Sequence, residues 1–205
     1  MSSFEAVLFD FAGVVASSPW DATAEAGGGD LELLIGPYEE DGDHPWHRVE
    51  RGELAIAEWA AEVTAMGQAR GVTVDFGPLG KLLGEMTIHA EVVDRIRRLR
   101  RDGYRLALVT NNVREGSATW RAMLPLDELF DVVVDSCEVG MRKPNPAIFL
   151  HALELLGGIP PERAVFLDDS PGNVEGARRA GLRAIHVTET TDALAELDAV
   201  LDGAA

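Results

Sequence analysis

The chain is 205 residues long (22.1 kDa), 46% hydrophobic and 26% charged, with mean hydropathy +0.00. This composition excludes a wholly disordered chain, because it holds enough apolar material to offset chain entropy. Thirty-five acidic against 18 Lys and Arg side chains leave a formal net charge of −17 and a pI near 4.6. A nucleic-acid partner is thereby excluded, since this surface repels a polyanion, and any anionic substrate needs a local positive site.

The N-terminal residues carry no basic region, and no stretch reaches the roughly 18 apolar residues of a membrane span. No membrane partner is expected, and the protein is read as cytoplasmic. The single cysteine, Cys137, allows no internal disulfide, which agrees with a reducing compartment.

The first element is a strand over Ala6 to Phe9, ending at Asp10. About 70 residues then pass before the next βα unit, too many for an ordinary connection, so a helical subdomain is inserted over 16–85. Within it, Leu54, Trp59, Val63 and Met66 predict a helix over Glu53 to Gln68, bounded by joints at Gly27 to Gly29 and at Gly77-Pro78-Leu79-Gly80. Trp20, Trp46 and Trp59 also lie here and are read as packing for a small subdomain. His44-Pro45-Trp46-His47 resembles a metal pair, but the intervening Pro45 favours a turn or helix start in a surface loop.

Beyond the insertion, Val92, Ile96 and Leu99 predict a helix over Glu91 to Arg101, whose arginines form a solvated face. A strand over Arg105 to Val109 leads into Thr110-Asn111-Asn112, and a third covers Val132 to Val134. Lys143 follows, ahead of a helix over Pro146 to Leu156 that Asn145 caps. A strand over Ala164 to Leu167 ends at Asp168-Asp169-Ser170; another spans Arg183 to Val187. The last helix, Asp192 to Leu201, has Thr191 as its expected cap. Apolar runs alternating with helical patterns imply α/β architecture: a Rossmann-like parallel sheet over 1–15 and 86–205, carrying the inserted helical cap.

In an open parallel sheet, ligands bind beyond the carboxyl ends of the strands, where strand order reverses. Asp10, Thr110, Lys143 and the Asp168-Asp169 pair all fall at such ends. Two or three carboxylates can hold Mg²⁺ through hard oxygen ligands. The metal and Lys143 together could neutralise a phosphate, with Thr110 fixing its oxygens and Asp10 attacking phosphorus.

Taken in order, these segments resemble the haloacid dehalogenase (HAD) superfamily. Leu8-Phe9-Asp10-Phe11-Ala12-Gly13-Val14-Val15 is similar to its first motif and Leu108-Val109-Thr110-Asn111-Asn112 to its second. Gly140-Met141-Arg142-Lys143-Pro144-Asn145-Pro146 resembles the third, and Phe166-Leu167-Asp168-Asp169-Ser170-Pro171-Gly172-Asn173 the fourth. Ser136 to Pro144 is most like the branch that includes the N-terminal phosphatase domain of soluble epoxide hydrolases. The resemblance implies a cap between the first and second motifs. It implies Asp10 as nucleophile and metal ligand, the Ala12 carbonyl and Asp169 as further ligands, and Asp168 and Asn173 as supports of the metal. Thr110, Asn111 and Lys143 would hold the phosphoryl group of a small phosphorylated substrate. Cys137 is then structural. A monomer or a homodimer is equally compatible.

One position departs from that pattern. Phosphatases of the family carry a second Asp two residues after the nucleophile as acid and base, and here Ala12 stands in its place. Substrates with good leaving groups, such as acyl, aryl or sugar 1-phosphates, would suffer least. Dehalogenases of the superfamily also lack this Asp, although an acidic pair like Asp168-Asp169 suits Mg²⁺ better than a departing halide. A module that binds Mg²⁺ and phosphate without turnover is a third reading.

Overall fold

The computed structural model describes residues 4–18, 31–37, 39–76 and 86–203. Five strands, β1 (Ala6–Phe9), β2 (Arg105–Thr110), β3 (Val132–Asp135), β4 (Ala164–Asp168) and β5 (Arg183–His186), form one parallel sheet in the order β3-β2-β1-β4-β5. β1 is wholly buried and side chains alternate across it, so each of its faces must meet apolar cover. Val7 and Phe9 pack with Ile96 and Leu99 of α4 (Ala90–Arg101) and Leu197 of α10 (Thr190–Leu201). Ala6 and Leu8 pack on the other face with Ile148 and Phe149 of α8 (Pro146–Leu155) and Val174 of α9 (Pro171–Arg179).

Strand order positions the site. The chain runs outward from β1 through β2 to β3, then crosses back to β4 on the other side of β1, opening a crevice beyond the ends of β1 and β4. Phe9 is in register with both Leu108 and Leu167, and the Asp10 N–H still bonds the Leu167 carbonyl at 3.0 Å. Asp10, Thr110 and Asp168 therefore leave the sheet at nearly one level.

Between β1 and β2 lies the cap, with α1 (Leu31–Ile35), α2 (Pro45–Glu50) and α3 (Ile56–Ala69). Its apolar cluster of Leu33, Leu34, Trp46, Val49, Trp59 and Val63 also takes in Val113 from the loop after β2, which seats the cap on the core. Trp46 and Trp59 stack edge to face at 5.4 Å, and the Trp59 indole donates to the Leu34 carbonyl at 3.0 Å. Packing is thus what these two tryptophans do; Trp20 and the two Gly-rich joints lie outside the described residues. No helix among the described residues is long and apolar enough to cross a membrane. The exposed arginine face of α4 is as expected, except that Arg95 turns to Asp198 of α10 at 2.5 Å.

Two local expectations are corrected. Helix α10 starts at Thr190 with Glu189 as its cap residue, so Thr191 lies inside the helix and caps nothing. The His44-Pro45-Trp46-His47 segment starts a helix, as Pro45 predicts, but is no surface loop: His44 caps α2 through its ring, and His47 is fully buried. Nδ1 of His47 accepts the Gly42 N–H at 3.0 Å, so protonation would set a donor against a donor. Burial, then the Arg142 charge, lowers the His47 pKa from 6.5 to about 4. Below pH 6.5 the unfolded chain takes up a proton that the folded one refuses, so stability falls until about pH 4, where both forms are charged. Measured by thermal midpoints between pH 7.5 and 4.5, the wild type is expected to lose ground to His47→Gln as the pH falls through 6.5 and below; a constant gap between them would contradict this.

The remaining helices are α5 (Ser117–Arg121), α6 (Leu126–Leu129) and α7 (Ser136–Val139), with α5 and α6 covering the sheet beside α4 and α7 following β3 directly.

Candidate active site

Asp10 emerges from β1 into a tight turn in which Val15 and Ala16 both donate to the Phe11 carbonyl, and its own Oδ1 accepts the Phe11 N–H at 2.6 Å. Gly13 in this turn has φ of +90°, and a Cβ there would lie 2.0 Å from Asp169 Oδ2. Only glycine combines that backbone conformation with so close an approach of the acidic loop.

Lys143 joins the two strand ends. Its Nζ is 2.7 Å from Asp10 Oδ1 and 2.6 Å from Asp168 Oδ2, and the residue is 1% exposed. Burial alone would depress the lysine pKa, but Asp10 and Asp168 outweigh it and raise the value, holding the ammonium charged. Asp168 also accepts from the Ser170 N–H at 2.8 Å and from Asn173 Nδ2 at 3.0 and 3.2 Å. Burial pushes Asp10 well above the usual carboxylate range; Lys143 pulls it back, while Asp168 and Asp169 push it further. For Asp169, burial followed by the Asp168 charge raises the pKa to about 6, against the Lys143 charge and a hydrogen bond with Ser18.

Oxygen atoms of Asp10, Asp168 and Asp169 all lie within 4.8 Å of one another. One lysine cannot neutralise three carboxylates, and the desolvated cluster calls for another positive charge. Asn173 Oδ1 is buried with no partner among the described residues, a further oxygen suited to a metal or its water. A divalent hard cation fits this donor set. Beside Asp169 a cavity of about 530 Å³ opens, lined by Gly13, Ser18, His89 and His186.

The other expected site residues occupy distinct places. Thr110 is 2% exposed at the end of β2, and its hydroxyl accepts from Asn112 Nδ2 at 3.0 Å. Asn111 spends its amide on the lysine loop: Oδ1 accepts the Lys143 N–H at 2.8 Å and Nδ2 donates to the Lys143 carbonyl at 3.0 Å. Its side chain thus holds the lysine's backbone beside the crevice. Ala12 sits in the turn between Asp10 and Gly13 and brings no side-chain acid to the crevice. Sequence reasoning missed Ser18, which lies after the turn with no motif to mark it. It also missed Arg142, hidden by its position beside Lys143.

Cys137 is buried, and its thiol donates to Asp135 Oδ1 at 3.2 Å. Burial, then the Asp135 charge, pushes the thiol pKa up to about 12, so it is no nucleophile near neutrality. At pH 8 iodoacetamide is expected to leave the native protein untouched and to label one thiol after unfolding in urea; native labelling at the rate of a free thiol would contradict this.

A model of the haloacid dehalogenase-like hydrolases matches residues 4–181. Bifunctional epoxide hydrolase 2 of Rattus norvegicus is 27% identical over 183 residues, 82% of this chain and 33% of its own length. The chain spans 19% to 39% of the length of the curated relatives first matched. Among solved structures, a HAD-like family hydrolase from Porphyromonas gingivalis superposes with a TM-score of 0.68 at 27% identity, covering 96% of this chain and 98% of that one. A HAD family enzyme from Bacteroides thetaiotaomicron, in complex with magnesium and inorganic phosphate, gives a TM-score of 0.63 at 22% identity, covering 89% and 93%; identity that low speaks for the fold alone. The four ordered motifs, the sheet order that gathers them and the match over residues 4–181 lead to one conclusion: the chain belongs to the haloacid dehalogenase-like hydrolase family.

Proposed function

We propose that the protein is a Mg²⁺-dependent phosphatase that hydrolyses a small phosphorylated metabolite through an aspartyl phosphate on Asp10. The observation that carries this reading is the Lys143 ammonium lying between Asp10 and Asp168 in a cluster that Asp169 completes. Asp10, Asp168, Asp169 and the Ala12 carbonyl would hold Mg²⁺. When bound, the metal would neutralise charge on the nucleophile and the phosphoryl oxygens. Lys143 and the Thr110 hydroxyl would hold the transferring group, with Asn111 securing the lysine loop. An Asp10 oxygen would form a bond to phosphorus as the bond from phosphorus to the leaving oxygen breaks. Water would then attack that phosphorus, releasing inorganic phosphate and restoring the carboxylate.

Ala12 narrows the substrates. With no acid at that position the leaving oxygen departs unprotonated, which favours acyl, aryl and sugar 1-phosphates over alkyl esters. The dehalogenase reading shares the nucleophile and the missing acid, but would set a departing halide beside three carboxylates. The test is release of inorganic phosphate from a panel of phosphorylated metabolites and one aryl phosphate, with Mg²⁺ and with chelator. Turnover that vanishes with chelator is expected. Metal-independent release of halide from 2-haloacids would overturn the reading, and Mg²⁺ and phosphate binding with no turnover would replace it with that of a regulatory module.

A further inference from the structure

We propose that Arg142 is a positioning residue for Lys143, and that the cap holds it in place. This rests on the phosphatase reading and adds to it a role for the cap: completing the loops that carry the catalytic groups.

Arg142 directly precedes Lys143 and is fully buried. Its Nε donates to Glu50 Oε2 at 2.7 Å, one terminal nitrogen donates to the Glu40 carbonyl, and Asp41 Oδ1 lies 4.0 Å from that nitrogen. Each of these three partners belongs to the cap. Two residues beyond Lys143, Asn145 Nδ2 donates to Asp41 Oδ2 at 3.0 Å. The lysine's own N–H and carbonyl are held from the core by Asn111, so the cap grips the loop on either side of the residue that the core grips.

The same cap segment reaches the second catalytic loop. Glu39 Oε2 accepts from the Ser170 hydroxyl at 3.1 Å and from the Gly172 N–H, while the Ser170 N–H bonds Asp168 Oδ1. Glu39 and Asp41, two residues apart, thus tie the Asp168 loop to the Lys143 loop. Arg51 steadies Asp41 at 2.6 Å. Nearby, Gly52 (φ +69°) presses so closely on α7 that a Cβ would lie 2.3 Å from the Cys137 carbonyl oxygen.

Geometry is the contribution that the ion pair makes. A buried pair replaced on both sides by apolar residues of similar volume usually leaves stability unchanged or improved, whereas removing one partner strands a charge. The guanidinium fork, however, fixes direction, while Lys143 is a point charge on a flexible stem that depends on its backbone for aim. Its Nζ must lie between two carboxylates in a sealed site, where a misplacement of about 1 Å can cost about 10²-fold in rate.

The experiment uses the whole chain as Arg142→Met, Glu50→Met and the double variant. Thermal midpoints, kcat and KM for p-nitrophenyl phosphate with Mg²⁺, and calorimetric binding of inorganic phosphate with Mg²⁺ are measured. Each single variant is expected to lose stability and the double to regain it. In the double variant kcat is expected to stay about 10- to 100-fold down with KM little changed, because aim and not folding is lost. A stable double variant with wild-type kcat would overturn the inference and leave the phosphatase reading standing. Wild type that neither turns over nor binds phosphate would overturn that reading and this inference with it. A second arm, Glu39→Ala with Asp41→Ala, cuts the strap outside the buried pair and covers the case in which the double Met variant fails to fold. Lowered kcat at an unchanged midpoint supports the inference, and unchanged kcat opposes it.

Discussion

Replacing Asp10 with Asn is expected to cut phosphate release by about 10³-fold or more while leaving the protein folded. The amide keeps the shape of the carboxylate and can still accept the Phe11 N–H, but it cannot attack phosphorus. The fold should tolerate the change because two opposing effects are involved. Lys143 loses one of its two carboxylate partners, yet Asp168 and Asp169 lose a like-charged neighbour in a desolvated cluster. Phosphate release from an aryl phosphate, read beside the thermal midpoint, checks both halves. Full activity in Asp10→Asn would remove the aspartyl phosphate from the mechanism, and collapse of the midpoint would mean that Asp10 is needed for folding.

Ala12→Asp is expected to change the selectivity of the enzyme more than its activity on good substrates. A carboxyl group two residues beyond the nucleophile could protonate the leaving oxygen and then activate water, a contribution of about 10² to 10⁴ in rate. Alkyl phosphates, whose leaving oxygen is strongly basic, should gain most of it, while aryl phosphates should gain little. The comparison is kcat/KM for one alkyl and one aryl substrate in both proteins. If wild type cleaves the two equally and the substitution alters neither, the absence of an acid at position 12 has no consequence for the chemistry. The same substitution introduced with Asp10→Asn should rescue nothing, because an acid without a nucleophile has no bond to break.

Much of this molecule is legible in one dimension because its chemistry is tied to strand ends. A strand that is buried on both faces must be apolar throughout, so Ala6 to Phe9 and Ala164 to Leu167 stand out as runs, and the first polar residue after each one marks the edge where ligands bind. Asp10 and the Asp168-Asp169 pair are found this way. Helix starts are equally local: Asn145 caps α8 as expected, its side chain accepting the Ala147 N–H at 3.0 Å. The start of α10 lies two residues before the position that Thr191 predicts, because that helix uses no side-chain cap and the backbone does not follow the threonine's signal.

The contacts that run between distant segments were decided only by the tertiary structure. The side-chain amide of Asn111 finds its partner only when the lysine loop, 32 residues away, comes to lie against it. His47 reads as exposed until neighbouring cap residues, Gly42 and His44 among them, fold against it. Arg142 has the composition of a surface residue, and its burial depends on Glu50, which is 92 positions away in the chain. Patterns of apolar residues specify which side of a strand or helix is covered, and motif spacing specifies which groups meet at a sheet edge. Neither specifies the partner of a buried charge: an ion pair depends on where two separately folded segments come to rest, and here that placement depends on how the cap docks on the core.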